Sequence, residues 1–266
     1  MEKEKSISID ISIVLLTYNQ EKFVSKAINS ILNQELSNSF EIIVIDDFSA
    51  DDTFSLISEF QDKYPLNFKA YRNAFNLGLA KNYEKAVLLA KGKYIAYLEG
   101  DDYWTDPYKL QKQFNFLEEN PDLVLAFHDF ITIDSNEGII SDKNLKIDSL
   151  KKNRSKKDMV TGCLIHQNTI MFRNVVRRFP IGFFKAKNHD TFFIAYLSNW
   201  GEAGYVKCSP LHYRIHTNSL WSSLSGKRKH WNGLITYSVI LFYVPFRYSR
   251  NLIWKIASKV KAIIIS

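Results

Sequence analysis

Two short acidic stretches carry the clearest chemistry in this chain, and each follows an apolar run. Residues 41–47 read EIIVIDD and residues 94–102 read YIAYLEGDD. An apolar run of this length reads as a buried strand, so Asp46, Asp47, Asp101 and Asp102 are expected near strand ends. Four carboxylates gathered there would repel one another and any phosphate unless a divalent cation joined them. Mg²⁺ and Mn²⁺ favour such oxygen ligands. The first expectation is therefore metal-assisted handling of a phosphorylated substrate. The plainer alternative is that each pair caps a helix or fills a turn.

The elements that must position these acids follow one another in a regular alternation. Residues 11–16 (ISIVLL) predict a buried strand that runs into Thr17, Tyr18 and Asn19. The spacing of Phe23, Val24, Ala27, Ile28, Ile31 and Leu32 predicts a helix behind it. Residues 41–45 give a second strand, and Ser49 and Asp51 can cap a helix bearing Phe54, Ile57 and Phe60. A short strand at 68–71 precedes a loop at Asn76, Leu77 and Gly78. The next helix carries Ala80, Tyr83, Val87 and Ala90 and ends at Gly92. A strand at 94–98, a helix started by Asp106–Pro107 with Leu110, Phe114 and Leu117, and a strand at 123–127 complete the series. This alternation predicts an α/β fold with a mostly parallel, Rossmann-like central sheet and helices on both faces. Ligands bind such sheets outside the carboxyl ends of the strands, where both acid pairs lie. Beyond Asp129 the pattern weakens. Residues 134–158 are polar and Lys-rich and read as a mobile flap or insertion. Strands are expected at 169–172, 205–208 and 211–215, with a helix at 188–200.

An apolar content of 46% over 266 residues supports a real core and argues against disorder. We expect one domain at 11–219, preceded by a polar extension at 1–10 and followed by a basic, apolar helical appendage at 220–266. Residues 1–10 hold no apolar stretch behind a basic leader, so a secretory signal is not expected. Cys163 and Cys208, with no CxxC, predict no disulfide framework and fit a reducing compartment; both read as core residues. The net charge of +7 is unevenly placed: residues 203–266 hold ten Lys or Arg and no acid. Within them the run 234–246 (LITYSVILFYVPF) is followed by Arg247, Arg250, Lys255, Lys259 and Lys261. It is shorter than the ~20 residues a bilayer span needs. It suits an interfacial segment on an anionic membrane surface, or equally a helix packed on the domain or on a second subunit of an oligomer. No nucleic-acid-binding signature accompanies the charge, so nucleic acid is not an expected partner.

The ordered set Thr17-Tyr18-Asn19, Asp46-Asp47, Asn76-x-Gly78, Glu99-Gly100-Asp101-Asp102, His189-Asp190 and His216 resembles family-two glycosyltransferases with the GT-A fold, over roughly residues 11–219. The resemblance implies an inverting, metal-dependent glycosyltransferase of bacterial surface-polysaccharide type. Such an enzyme would use Mn²⁺ or Mg²⁺ and a UDP- or dTDP-linked sugar donor, and its acceptor would be a saccharide or lipid-linked saccharide. It further implies a nucleotide-binding half at 11–127, an acceptor half at 128–219, and a cytoplasmic location at the inner face of the plasma membrane.

Carried over residue by residue, Thr17 and Asp47 would contact the base, with Tyr18, Asn19 and Asp46 lining its pocket. Asn76 and Gly78 would place a loop near the nucleotide, and Lys81 stands where the family often has arginine. Asp102 is expected as the direct metal ligand, with Asp101 on ribose or a coordinated water and Glu99 in support. His216 would reach the diphosphate or the metal, in a motif that runs on through Asn218 and Ser219, and Arg214 would be structural. Asp190 takes the place of the catalytic base, and His189 before it would orient the acceptor or cap the helix. His128 and Asp129 would line the sugar or acceptor region, as would His166, Gln167 and Asn168. Trp104 and Tyr103 would either anchor the core or face the sugar. Two other readings compete. Nucleotidyl or phosphoryl transfer lacks a P-loop here. A catalytically silent nucleotide-binding or membrane-assembly protein sits poorly with an intact Asp102 and Asp190.

Overall fold

All seven residues of β1 (Ile11–Thr17) are buried, as a strand covered on both faces requires. In the computed structural model, which describes residues 9–216 and 224–265, β1 pairs in parallel with β2 (Phe40–Asp46), and β2 with β3 (Phe68–Arg72). On its other side β1 pairs in parallel with β4 (Tyr94–Glu99). Beyond β4 the sheet continues through β5 (Leu123–Phe127), β8 (Met171–Arg173) and β9 (Glu202–Tyr205), in the order β3-β2-β1-β4-β8-β5-β9. Only β8 runs against its neighbours. A second, three-stranded sheet joins β10 (Leu211–Arg214), β6 (Phe130–Ile133) and β7 (Ile139–Ser141).

Period-two alternation along the strands divides the apolar residues between two cores. Val14, Leu16, Ile43, Ile45 and Tyr97 meet Tyr83 and Val87 of α3 (Leu79–Leu89) and Phe192 and Phe193 of α7 (His189–Leu197). Ile13, Leu15, Ile42, Val44 and Leu98 meet α1 (Val24–Leu32), α2 (Thr53–Lys63) and α4 (Lys109–Glu119), through Ile28, Ile57 and Leu110. The chain leaves β1 toward β2 and β3 on one side and returns to β4 on the other, so a crevice opens beyond the strand ends. Thr17 lies in register with Asp46, and Leu16 with Glu99. Both acid pairs therefore begin at this crevice.

Three expectations change. Residues 134–158 are not a featureless flap: β7 pairs with β6, and the buried Arg154 pairs with Ala203 of β9. Its guanidinium donates to the carbonyls of Leu150 and Lys152, tying a polar segment to the domain through backbone acceptors. A Ser155–Asp158 capping box then starts α5 (Lys156–Thr161). The strand expected at 205–208 lies earlier, at Glu202–Tyr205, where Ala203 and Gly204 carry little apolar signal. Finally, the apolar run at 234–246 is not wholly an interfacial segment. It enters α8 (Gly226–Ile240), whose Tyr237 and Ile240 join the main core against α6 (Ile181–Lys185) and α7. The final helix, α9 (Ser249–Ile265), packs on α8 as a hairpin. Among the described residues no helix is long and apolar enough to cross a membrane.

Candidate active site

The first acid pair is consumed in shaping the crevice. Asp46 is fully buried; it accepts the Ser49 N–H at 3.1 Å and pairs with Arg72 at 3.6 Å, while the Thr17 hydroxyl donates to it at 3.4 Å. Asp47 accepts the backbone N–H groups of Leu77 at 2.7 Å and Gly78 at 2.9 Å, and the Asn73 amide at 2.9 Å. The Asp47 carboxylate therefore fixes the 76–78 loop, where Gly78 adopts a φ of +79° that favours glycine. Asn19 also holds a positive φ, and its side chain accepts the Ala50 N–H at 2.9 Å, clamping the turn after β1 to the one after β2. Tyr18 and Phe48 are left exposed on these two turns. The Phe48 placement, with φ +65°, had no signal in sequence. Asn76 is exposed on its loop. Lys81 is turned aside: it pairs with Glu84 at 3.0 Å and lies 4.0 Å over the Phe184 ring.

The second pair forms a different group. The four aspartates do not share one cluster, as the spacing first suggested; Glu99, Asp101 and Asp102 do, each offering an oxygen within 4.8 Å of the others. Gly100 makes this possible, because a Cβ there would stand 2.5 Å from the Gln20 side-chain oxygen and 2.7 Å from Thr17 Cγ2. Asp102, expected as the direct metal ligand, is the most enclosed of the three. Its Oδ1 accepts the Arg214 N–H at 2.8 Å and its Oδ2 accepts the Asn168 amide. Asp101 faces forward, and its Oδ2 lies 3.0 Å from His216 Nε2. Arg214 is buried and structural: it donates to the carbonyls of Asp101 and Asp134, both at 3.0 Å. Asn218 and Ser219 lie outside the described residues.

Burial and mutual repulsion dominate the electrostatics of this cluster. Burial, then the Asp101 charge, pushes the Glu99 carboxyl up to about 7. Burial, then the Asp101 and Glu99 charges, lifts Asp102 well above the carboxylate range. A group of hard oxygen donors that resists ionisation together fits a divalent cation, whose charge would reverse that penalty. The residues present therefore suit Mn²⁺ or Mg²⁺.

Asp190 sits in the first turn of α7 and accepts the N–H of its neighbour Thr191 at 2.7 Å. Solvent reaches the carboxylate, yet the surrounding walls raise its pKa, and its charge in turn raises Glu99. The Thr236 hydroxyl of α8 accepts the N–H groups of Lys187 at 3.1 Å and Asn188 at 3.0 Å, bracing the start of α7. His189, half-buried, sets its ring 5.4 Å from Phe183. His166 borders the acids, with its ring 4.5 Å from Tyr213 and its pKa lowered to about 4 by burial.

Trp104 takes the core-anchor alternative of its two expected readings, and His128 departs from its expected place beside the sugar or acceptor. Trp104 is buried: its indole N–H donates to the Asn168 carbonyl at 2.8 Å, and the buried Lys109 lies 3.8 Å over its ring. It is a core anchor. His128 is also buried, bonded through Nδ1 to the Asp129 carbonyl, and desolvation drops its pKa to about 3. Asp129 accepts the Tyr205 hydroxyl at 2.6 Å at the edge of β6. The residue underrated in sequence is Asn168, which joins Trp104 to Asp102; its place after a histidine and a glutamine gave no sign of that link.

A sequence profile described as "Glycosyl transferase family 2" matches residues 12–179. An uncharacterized protein of Mycobacterium tuberculosis is 29% identical over 233 residues, covering 83% of this chain and 63% of that protein. The chain thus spans less than two thirds of the length of such relatives. An Escherichia coli protein named UDP-Glc:alpha-D-GlcNAc-diphosphoundecaprenol beta-1,3-glucosyltransferase WfaP is 36% identical over 108 residues, 41% of each chain. Among solved structures, Staphylococcus aureus TarS in complex with UDP-GlcNAc superposes with a TM-score of 0.68 at 16% identity, over 96% of this chain and 72% of that one. The mannosyltransferase PcManGT from Pyrobaculum calidifontis, in complex with GDP-Man and Mn²⁺, gives 0.68 at 14% identity, over 98% and 77%. At such identities the two structures speak to the fold, which is GT-A.

Proposed function

The chain belongs to glycosyltransferase family 2, and from that premise we propose that it transfers a sugar, with inversion, from a UDP- or dTDP-linked donor to the hydroxyl of a saccharide or lipid-linked saccharide. One observation carries this reading: at the end of β4, Glu99, Asp101 and Asp102 gather three carboxylates, each offering an oxygen within 4.8 Å of the others. Thr17, Asp47 and the 76–78 loop would hold the base and ribose, with the exposed rings of Tyr18 and Phe48 offering apolar faces. Glu99, Asp101 and Asp102 would hold Mn²⁺ or Mg²⁺, and His216 stands beside Asp101. When bound, the cation neutralises the diphosphate leaving group.

Asp190 would accept the proton of the acceptor hydroxyl as that oxygen attacks the anomeric carbon from the face opposite the nucleotide. A single base suffices, because nucleotide diphosphate departs as a stable anion and needs no acid. His166, kept neutral by burial, can accept or donate a hydrogen bond to the bound sugar without adding charge. The lipid-linked acceptor class is supported by the E. coli relative's name, and surface-polysaccharide synthesis follows from that class. The test is a panel of nucleotide sugars with Mn²⁺ and a diphospholipid-linked saccharide, followed by NMR of the product. An α-linked donor should yield a β-linked product, and chelation should abolish it. An α-linked product, or no nucleotide release across the panel, would remove the proposal.

A further inference from the structure

The last helix carries apolar side chains on both of its sides: Leu252 and Ile256 pack on the core, and others face outward. A helix lying on a domain normally turns its apolar stripe inward and its charges out. In α9 only Leu252 is fully buried. The Lys255 ammonium lies 5.6 Å over the Tyr237 ring on the inner side, and the Lys259 stem runs against Gly233 of α8. The outer side carries Ile253, Trp254, Val260, Ile264 and Ile265, with Trp254 70% exposed. The positions 253, 257, 260 and 264 fall on one stripe, and the same spacing runs back through Arg250 to Phe246, 90% exposed. Large apolar side chains gathered this way mark an interaction surface.

Charge decides what covers it. Described residues 224–265 contain eight Lys or Arg and no Asp or Glu. A second copy seated on this face would bring these cations against their own kind with no acid to pair them. Among the described residues no helix is long and apolar enough to cross a bilayer. An anionic lipid surface meets both needs, since the apolar stripe enters the headgroup boundary while Arg247, Arg250 and Lys261 pair with phosphates. Trp254 suits that depth, because indole combines an apolar body with a polar N–H. We propose that the outer face of α9, together with Phe246 in the turn before it, is a docking surface for anionic membranes. The hairpin's other side braces α7 through Thr236, so docking would hold the Asp190 side of the cleft close to the lipid surface. That last link rests on the transferase reading above; the docking itself does not.

The test is sedimentation of the full chain with phosphatidylcholine vesicles, with and without phosphatidylglycerol, and it requires no catalytic activity. The chain should pellet with the anionic vesicles and stay in solution with the neutral ones, and added salt should release it. Arg250→Gln with Lys261→Gln should weaken partitioning about 25-fold, each basic residue near the surface contributing about fivefold. Ile253→Ser with Trp254→Ser should lose binding while melting at the wild-type temperature, since both residues are exposed. The charge variant keeps the test valid even if the apolar variant is unstable. Protein that stays in the supernatant with both vesicles would overturn the proposal, as would variants that pellet like wild type. Light scattering that shows a dimer abolished by Trp254→Ser would also overturn it, by assigning the face to a second copy.

Discussion

Asn168 stands between the core and the chemistry: its carbonyl receives the Trp104 indole, and its amide donates to Asp102. Removing the amide leaves an enclosed carboxylate oxygen without its donor and frees the back of the acidic cluster to move. Groups that orient a metal ligand in this way typically govern affinity by about 10–100-fold. Asn168→Ala should therefore weaken Mn²⁺ binding by that factor in a calorimetric titration, and unchanged affinity would deny it the role. Asp190 makes a second prediction at this scale. It must be ionised to act as a base, and desolvation by the surrounding walls lifts its pKa above the ordinary aspartate value of about 3.9. As pH falls through that raised pKa the carboxylate takes up a proton and turnover should fall. A profile of kcat that stays flat down to pH about 4 would contradict this.

Among elements, the start of α7 is the one on which the proposed transfer would depend, and another element holds it. The Asn188 side chain does not cap α7, and the N–H groups of Lys187 and Asn188 that lead into the helix are both accepted by Thr236 of α8. Thr236→Val keeps the shape and removes the acceptor, at about 1–3 kcal/mol for buried donors left unpaired. We expect kcat to fall with the donor KM unchanged, and Thr236→Ser to restore it; an equal loss in both variants would point to packing alone. Elements with strong periodicity were legible in sequence. β1, β2, β4 and α1 carry continuous or one-sided apolar patterns that local rules read directly. The strand expected at 169–172 corresponds to β8, though nothing local told that it runs antiparallel; β7 was missed because it is short and exposed, and β9 because its pairing partner, β5, lies far away in the chain. The site divides similarly. Strand ends placed Thr17, Asp46 and Glu99 at one crevice, but no local pattern tells that Asp46 and Asp47 spend their oxygens on loops. Nor could spacing show that Trp104 and His128 point inward.

For the whole molecule, the sequence pI of about 9.1 hides two differently charged parts. The basic excess belongs to the C-terminal hairpin, while the catalytic domain carries the acids that resist ionising together. One face of the hairpin completes the core and steadies α7; the other leaves Trp254 and its neighbours outward. The proposed reading gives a single chain a base at Asp190, an acidic cluster at Glu99, Asp101 and Asp102, and an apolar, cationic surface on its last helix. Its central claim is that Asp190 removes the acceptor proton and does nothing essential for the donor. The most direct measurement is the rate of transfer by Asp190→Asn at saturating donor and Mn²⁺, alongside its donor affinity. The account predicts wild-type donor affinity with transfer lowered about 10²–10⁴-fold, the range expected for loss of a general base. Transfer near the wild-type rate would contradict it.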